Sequence, residues 1–336
     1  MSEHGAFMAS LEVAPGIFQI QVPIPYPLKY VNCYLIKGEG TALVDCALDT
    51  QDTKGSLALP AGKEVLRAAL LEHSLRFSDL DQLVITHHHP DHYGLAGILE
   101  AEGAKVSMLD VELEHGHRFW TEPEEHNAAG LAHLQLHGVP EETLAGLAGA
   151  MAKTRSCVHP AKAPVTLKDG DYTELAGMKF KVVWTPGHAD GHAVFWREHD
   201  SVLLAGDQLL ERVTPNIGLW AYSRPNPLED YLASFKKVSA LDASLALTGH
   251  YRPIENIRER IREIEAHHQE RLASLEGLLK AGPATCWQLS LKLFPGNYNL
   301  AQRRFAWAET LAHLEYLVHQ SQAKKEFAKN KFLYSL

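Results

Sequence analysis

Cysteine is scarce in this chain. The 336 residues include four cysteines, Cys33, Cys46, Cys157 and Cys286, and no two of them form a CxxC pair. So few and such widely spaced thiols make neither a disulfide framework nor a cysteine-rich zinc site. The sequence therefore predicts a protein with reduced thiols, and we expect it in the cytoplasm.

Long hydrophobic runs are also missing. No uninterrupted apolar stretch reaches the roughly 18 residues that a membrane-spanning helix needs. Residues 1–10 carry Glu3 and His4 and lack the apolar segment of a signal peptide. We expect no membrane partner.

Positive charge is in deficit. Lysine and arginine number 32 against 41 aspartates and glutamates, so the net charge is −9. Nucleic-acid binding needs a concentrated basic face that neutralises phosphates, and this balance argues against such a partner. The length suits one large domain with a smaller one beside it.

Histidine, in contrast, is abundant, with 20 in the chain. Most are expected at the surface, but the segment Thr86–His92 concentrates four histidines and one aspartate directly after the apolar run 83–85. This pattern predicts a β-strand followed by a loop that is dense in metal ligands.

Other predicted strands also end in residues that can bind a metal. These are the strand over 41–45 with Asp45, the strand over 180–184 with His188, the strand over 201–205 with Asp207, and the strand over 245–249 with His250. Because strands that terminate at one edge of a sheet deliver their last residues to one place, we expect these side chains to meet.

Helical spacing of apolar residues dominates the rest of the chain. Residues 111–160, rich in Glu, His, Ala and Leu, are predicted to form a helical insertion. It could be a lid over the site, a dimer contact or a surface excursion. Three helices predicted after residue 254 indicate a second domain. We expect domains over 1–255 and 256–336, the second being small and all-helical.

The types of ligand indicate the kind of metal. Imidazole and carboxylate groups together suit zinc, with iron or manganese as alternatives. His87 and His89 are two residues apart, so in an extended segment they face one side. Asp91 and His92 follow a proline that turns the chain, so they can face a second ion. We expect two divalent ions.

The order and spacing of these residues over 13–250 resemble the metallo-β-lactamase superfamily. The matching segments are His87-x-His89-x-Asp91-His92, Thr-Pro-Gly-His188, Ala-Gly-Asp207 and Thr-Gly-His250. The resemblance implies an α/β fold, the αββα sandwich of that family. It also implies a first metal held by His87, His89 and His188, a second held by Asp91, His92 and His250, and a bridging Asp207.

Three further residues are placed by the same resemblance. Asp45 matches the aspartate of the family's first motif, which supports the ligand loop from behind. His88 and His192 match no ligand position, so they are expected behind the ligands or at the surface.

Two bridged ions imply a hydrolytic reaction. A solvent molecule between them is deprotonated near neutral pH, and this hydroxide attacks a carbonyl carbon or a phosphorus. A serine nucleophile is not required, and the GxSxG motif is absent. The acid that protonates the leaving group stays open among Asp91, Tyr222 and Tyr251, with structural roles as the alternative for both tyrosines.

The substrate stays open at this stage. Asp207 occupies a position that is cysteine in many true β-lactamases, which resembles glyoxalase II and favours a small ester, thioester or lactone. The alternatives are a nuclease or phosphodiesterase acting on RNA, suggested by a winged-helix-like resemblance of residues 256–336, and β-lactamase-type amide hydrolysis. The loop 216–225 either lines a pocket with Trp220, Tyr222 and Arg224 or is simply packed. A homodimer is also considered.

Overall fold

The computed structural model describes residues 10–50 and 61–336. Twelve strands there form two sheets, one of seven strands in the order β1-β2-β3-β4-β5-β6-β7 and one of five in the order β12-β11-β10-β9-β8. Their bounds are β1 Leu11–Ala14, β2 Ile17–Pro23, β3 Tyr30–Lys37, β4 Thr41–Val44, β5 Gln82–Val84, β6 Lys105–Leu109, β7 Val165–Leu167, β8 Tyr172–Leu175, β9 Met178–Trp184, β10 Ala193–Arg197, β11 Val202–Gly206 and β12 Leu245–Thr248.

The first sheet changes from antiparallel to parallel pairing at β4. The pairs from β1 to β4 are antiparallel, whereas β4, β5, β6 and β7 run parallel. Parallel neighbours need crossover connections, which are usually helical. The helices between them are α1 (Gly62–Glu72), α2 (Pro90–Tyr93), α3 (Ala96–Ala101), α4 (Asp110–Glu112), α5 (Arg118–Thr121), α6 (Pro123–Leu136) and α7 (Glu141–Arg155).

The second sheet ends in a parallel pair. Strands β8 to β11 are antiparallel, and β11 and β12 run parallel on either side of α8 (Pro227–Ala240). Asn226 caps α8 by accepting a hydrogen bond from the backbone N–H of Glu229, and Pro227 takes the first helical position. The buried face of α8 includes Tyr231 and Phe235, which cover the sheet.

Three apolar layers hold the molecule together. Between the sheets, Ile36 and Val44 of the first lie in one cluster with Phe180 and Phe195 of the second. A second cluster joins the outer face of the first sheet to α1 and α3, and a third joins the outer face of the second sheet to α8 and the C-terminal helices. This arrangement confirms the predicted αββα sandwich.

The C-terminal region is helical, as predicted, up to residue 319. It contains α9 (Ile257–Leu279), α10 (Cys286–Leu293) and α11 (Leu300–His319). None of the helices in the described residues is both long and apolar enough to cross a membrane.

The prediction of an all-helical C-terminal domain was wrong in its last residues. They form a hairpin of β13 (Lys324–Ala328) and β14 (Lys331–Ser335). The turn between these strands consists of Lys329 and Asn330, both with positive φ, 51° and 61°. Asn-Gly and Asp-Gly pairs are typical of such two-residue turns, whereas a Lys-Asn pair does not predict one.

The predicted helical insertion is the crossover between β6 and β7. Its helices pack against the C-terminal region, because Leu134, Val139 and Leu147 lie in the same apolar cluster as α9, α10 and α11. His137 adds polar contacts, with Nδ1 3.1 Å from the hydroxyl of Tyr334. The insertion therefore shares an apolar core with the C-terminal helices.

Candidate metal centre

The loop after β5 supplies half of the cluster. His89 precedes α2, and Pro90 takes the first helical position. Proline is favourable there because the N–H that it lacks would have no partner within the helix. The extended backbone before it brings Nε2 of His87 within 3.0 Å of Nδ1 of His89. The short helix then buries Asp91 and His92 against the same space.

Later strands bring three more residues to this place. Among residues 10–50 and 61–336, the side chains that could hold a metal form three groups, in each of which the ligand atoms lie within 4.8 Å of one another. The groups are His87, His89 and His188; His87, His92 and Asp207; and Asp91, His92 and His250. Each of the predicted ligands thus belongs to at least one group.

Asp207 lies at the centre of the cluster, directly after β11. Its Oδ1 is 3.5 Å from Nε2 of His92. Its Oδ2 is 3.5 Å from Nε2 of His188 and 3.4 Å from Nε2 of His250. The carboxylate of Asp207 therefore faces histidines of both the first and the third group.

Several buried polar atoms of the cluster have no hydrogen-bond partner in the described part of the chain. They are Nε2 of His92, His188 and His250 and Oδ1 of Asp207. Each such atom costs about 1–3 kcal/mol if it stays unsatisfied. Imidazole nitrogens and carboxylate oxygens are ligands that a divalent cation such as zinc accepts. The donor set therefore fits a metal.

The far nitrogen of each of these histidines is hydrogen-bonded away from the cluster, which turns Nε2 inward. The pairs are His92 Nδ1 with Asp45 Oδ2 at 2.7 Å, His188 Nδ1 with the Asn216 carbonyl at 2.9 Å, and His250 Nδ1 with the Tyr30 carbonyl at 2.5 Å.

Asp45 supports the ligands from behind, as the family resemblance implied. Its Oδ1 accepts the backbone N–H of Thr86 at 2.8 Å, and its Oδ2 accepts the hydroxyl of Thr86 at 2.8 Å. That hydroxyl is 3.0 Å from Nδ1 of His87. Because Oδ2 also contacts His92, one carboxylate orients ligands of different groups.

Glu112 is a supporting residue that the sequence did not reveal. This fully buried carboxylate accepts the backbone N–H of His88 through Oε1 and that of Gly191 through Oε2, the latter at 2.8 Å. It therefore ties the loop of His87 to the loop of His188. In the sequence it is one of several glutamates in an acidic stretch, and no local pattern distinguishes it.

The two histidines that matched no ligand position lie behind the ligands. His88 Nδ1 is 2.7 Å from Oε1 of Glu112, so its ring points away from the cluster. His192 is buried, and its Nε2 accepts the backbone N–H of Asp207 at 3.1 Å. His192 thereby positions the central carboxylate.

The charged groups of the cluster shift one another's pKa values. Burial alone would raise the pKa of Asp207, but His250 and His92 outweigh it and hold that pKa well below its usual range. Burial likewise opposes protonation of His92, but Asp207, Asp45 and Asp91 raise its pKa to about 9. Burial, with neighbouring histidines, keeps the pKa of His87 well below its usual range. A bound cation would balance these carboxylates.

The predicted proton donors lie in different surroundings. Asp91 Oδ2 is 3.4 Å from Nε2 of His250, inside the cluster. Tyr222 is 40% exposed, and its hydroxyl is 3.5 Å from Glu125 on α6. Tyr251 has a φ of 65°, and its backbone carbonyl accepts a hydrogen bond from Asn32.

Arg224 is not available to a ligand, contrary to one expectation for the loop 216–225. Its Nε is 2.6 Å from Oδ2 of Asp230, and its backbone N–H donates to Asp190. Trp220, in contrast, lies beneath another arginine, Arg304, which belongs to α11.

Comparison with known proteins agrees with this geometry. The family model described as the metallo-beta-lactamase superfamily matches residues 26–250. A second model, described as the metallo-beta-lactamase-like C-terminal domain, matches residues 272–333.

Individual relatives extend the match over nearly the whole chain. A metallo-beta-lactamase family protein from Thermus thermophilus, known from a crystal structure, is 48% identical with a TM-score of 0.86, covering 96% of this chain and 99% of that chain. The Bacillus subtilis (strain 168) protein named "Probable metallo-hydrolase YqjP" is 29% identical over 319 residues, 90% of this chain and 92% of that protein.

A shorter match is to the atrochrysone carboxyl ACP thioesterase of Aspergillus fumigatus, 26% identical over 113 residues, 34% of this chain and 33% of that protein.

The family match covers more than half of the chain and ends on His250, the last residue of the cluster. The chain belongs to the metallo-β-lactamase superfamily of metal-binding hydrolases.

Proposed function

We propose that this protein uses two divalent metal ions to hydrolyse a small ester, thioester or lactone. The observation that carries the proposal is the position of Asp207, whose carboxylate faces histidines of both the first and the third group. His87, His89 and His188 would hold one ion, and Asp91, His92 and His250 the other, with Asp207 between them. Zinc is the proposed ion because its preferred ligands are of these types, and iron or manganese accept the same donors.

The chemistry follows from this arrangement. When bound, the ions would lower the pKa of a shared water and polarise the scissile carbonyl group. Asp45 and Glu112 keep the ligand loops in place, so no ligand has to move during the reaction. We propose Asp91 as the group that passes a proton to the leaving group, with Tyr222 and Tyr251 as alternatives.

A carbonyl substrate is favoured over RNA by two facts. The Aspergillus fumigatus relative is named as an ACP thioesterase. The net charge of −9 gives little reason to expect a nucleic-acid partner. We propose a small-molecule substrate, a cytoplasmic location consistent with four scattered cysteines, and a homodimer as the assembly to test.

An activity panel on the zinc-loaded protein tests this proposal. Acetyl thioesters, aryl esters and lactones are compared with β-lactams, single-stranded RNA and a chromogenic phosphodiester. We expect hydrolysis within the first set, lost at least ~1,000-fold in Asp207→Ala and kept in Asp171→Ala, a control at an exposed aspartate in a surface turn. Hydrolysis of RNA alone, or of β-lactams alone, would overturn the proposal.

A further inference from the structure

Helix α11 of the C-terminal region reaches the loop that flanks the metal ligands. Leu219 donates its backbone N–H to the carbonyl of Ala308. Asn216 donates its side-chain N–H to Oε2 of Glu309 at 2.9 Å. The backbone carbonyl of Asn216 accepts a hydrogen bond from Nδ1 of His188. A single residue, Asn216, therefore connects α11 to a predicted metal ligand.

Arg304 lies one turn before Ala308 in α11, and its guanidinium packs against two aromatic rings. Its guanidinium carbon is 4.7 Å from the ring centre of Trp220 and 5.1 Å from that of Phe305. The two rings meet edge to face at 5.9 Å. Stacking against aromatic rings fixes the plane of a guanidinium and leaves its N–H groups free for an incoming ligand.

The guanidinium has no anionic partner among the described residues. Each of the other partly or fully buried arginines there donates a hydrogen bond to a carboxylate, a backbone carbonyl or a histidine. Arg304 forms neither a hydrogen bond nor an ion pair within that part of the chain. Burial lowers the pKa of Arg304 to about 10, so it stays a cation at neutral pH.

Electrostatics links Arg304 to the metal cluster through Tyr26. Burial raises the pKa of the Tyr26 phenol, the charge of Asp91 raises it further, and the charge of Arg304 lowers it. Tyr26 therefore lies within electrostatic reach of both the ligand Asp91 and Arg304. A buried cation without an anionic partner among the described residues can bind an anion that the substrate brings with it.

We propose that Arg304 binds an anionic group of the substrate, a carboxylate or a phosphate placed away from the scissile carbonyl group. This inference rests on the proposed hydrolysis and narrows its substrate to a molecule with a negative charge. Trp220 and Phe305 hold the guanidinium in position, and Asn216 connects α11 to the ligand His188.

Pairs of substrates that differ only in the anion test this inference. The phosphate pair is acetyl-4′-phosphopantetheine and acetylpantetheine, and the carboxylate pair is S-acetyl-3-mercaptopropionate and its N-methylamide. We expect kcat/KM of wild type to favour the anionic member of one pair about 10- to 100-fold, as a charged hydrogen bond provides. The preferred pair identifies the anion.

Variants assign the preference to Arg304. In Arg304→Gln the ratio between anionic and neutral members should fall toward one, and Arg304→Lys should keep part of it. Arg262→Gln, at an exposed arginine of α9, is the matched control and should keep the wild-type ratio. A wild-type ratio of one in both pairs, or an unchanged ratio in Arg304→Gln, overturns the inference.

A binding measurement separates this inference from the proposed reaction. Thioether analogues of the four compounds cannot be hydrolysed, and calorimetry measures their affinity for the zinc-loaded protein. Tighter binding of an anionic analogue that is lost in Arg304→Gln supports the site even if no thioester is cleaved. Equal binding of all four analogues by wild type and Arg304→Gln contradicts it.

Discussion

Single residues outside the ligand set hold the metal cluster in shape. Asp45 contacts His92 directly and reaches His87 through Thr86. Glu112 contacts the two loops that carry His87 and His188. Such supporting groups commonly change metal affinity or activity about 10- to 100-fold when they are altered.

Removing the charge of Asp45 should weaken metal binding. Asparagine tolerates the positive φ of 58° at this position and keeps one acceptor oxygen. We therefore expect Asp45→Asn to fold and to bind zinc about 10- to 100-fold more weakly, measured by competition with a chromogenic chelator. Asp171→Asn is the control. Wild-type zinc affinity in Asp45→Asn would show that this carboxylate does not support the ligands.

Removing the charge of Glu112 should slow the reaction. Burial would raise the pKa of Glu112, but the charge of His88 and hydrogen bonds from His88 and Gly191 lower it, so the group is ionised. The side-chain amide of glutamine has one acceptor atom, whereas the carboxylate has two. Glu112→Gln would therefore lose the hydrogen bond to one of the two loops. We expect kcat/KM of Glu112→Gln to fall about 10-fold or more, with zinc content measured in parallel. Activity equal to that of wild type would refute the role.

At the scale of helices, buried histidines join α9 to α11. His268 Nδ1 lies 3.0 Å from Nε2 of His313. Burial, with the neighbouring charges of His313, His267 and Arg271, lowers the pKa of His268 to about 2. Burial is also the main cause that lowers the pKa of His313 to about 4. Both rings are therefore neutral in the folded protein.

This interface should make the protein sensitive to acid. An unfolded histidine titrates near pH ~6.5, so both states are neutral at pH 7. Below that value the unfolded state gains protons that the native state does not bind, and the free energy of unfolding falls until His313 titrates at about pH 4. At pH 5 the loss is about 2 kcal/mol per histidine.

Urea unfolding at pH 7 and pH 5 measures this effect. We expect His313→Gln to lose about 2 kcal/mol less than wild type between these values, because it has one fewer buried histidine. The ligand histidines titrate equally in both proteins, so they cancel in the difference. An identical pH dependence in the two proteins would contradict the account.

Regular elements could largely be predicted from periodicity, and the misses have physical causes. The strands predicted over 41–45 and 180–184 correspond to β4 and β9, and the three helices predicted after residue 254 correspond to α9, α10 and α11. The final hairpin was not predicted because its strands are mostly polar or half-buried and its turn lacks glycine. Its position depends on tertiary packing, in which Ala284, just before α10, pairs with Tyr334.

At the scale of the whole molecule, the second sheet and the C-terminal helices share one apolar core. Ile264 and Leu275 of α9 and Trp307 of α11 belong to the same cluster as Phe235 of α8. We therefore expect a chain ending at residue 255 to lose its fixed tertiary structure, because this face of the sandwich would be exposed. Near-UV circular dichroism checks this, and a native-like spectrum with full zinc binding would contradict it.

The site shows which long-range features a sequence can reveal. His188, Asp207 and His250 each follow a strand, so topology alone predicts that they meet the cluster of His87. Glu112 and Arg304 come from helices, and no strand end or motif points to them. Glu112 reaches the ligand loops from the insertion, and Arg304 reaches Trp220 because α11 packs beside the loop that carries it.

The metal content of purified protein tests the central claim most directly. Wild type loaded with zinc and freed of excess ion should contain close to two ions per chain by elemental analysis. Asp207→Ala should contain one ion or fewer, whereas Asp171→Ala should match wild type. Two tightly bound ions in Asp207→Ala, or a single ion in wild type at saturating zinc, would contradict the shared carboxylate on which the account depends.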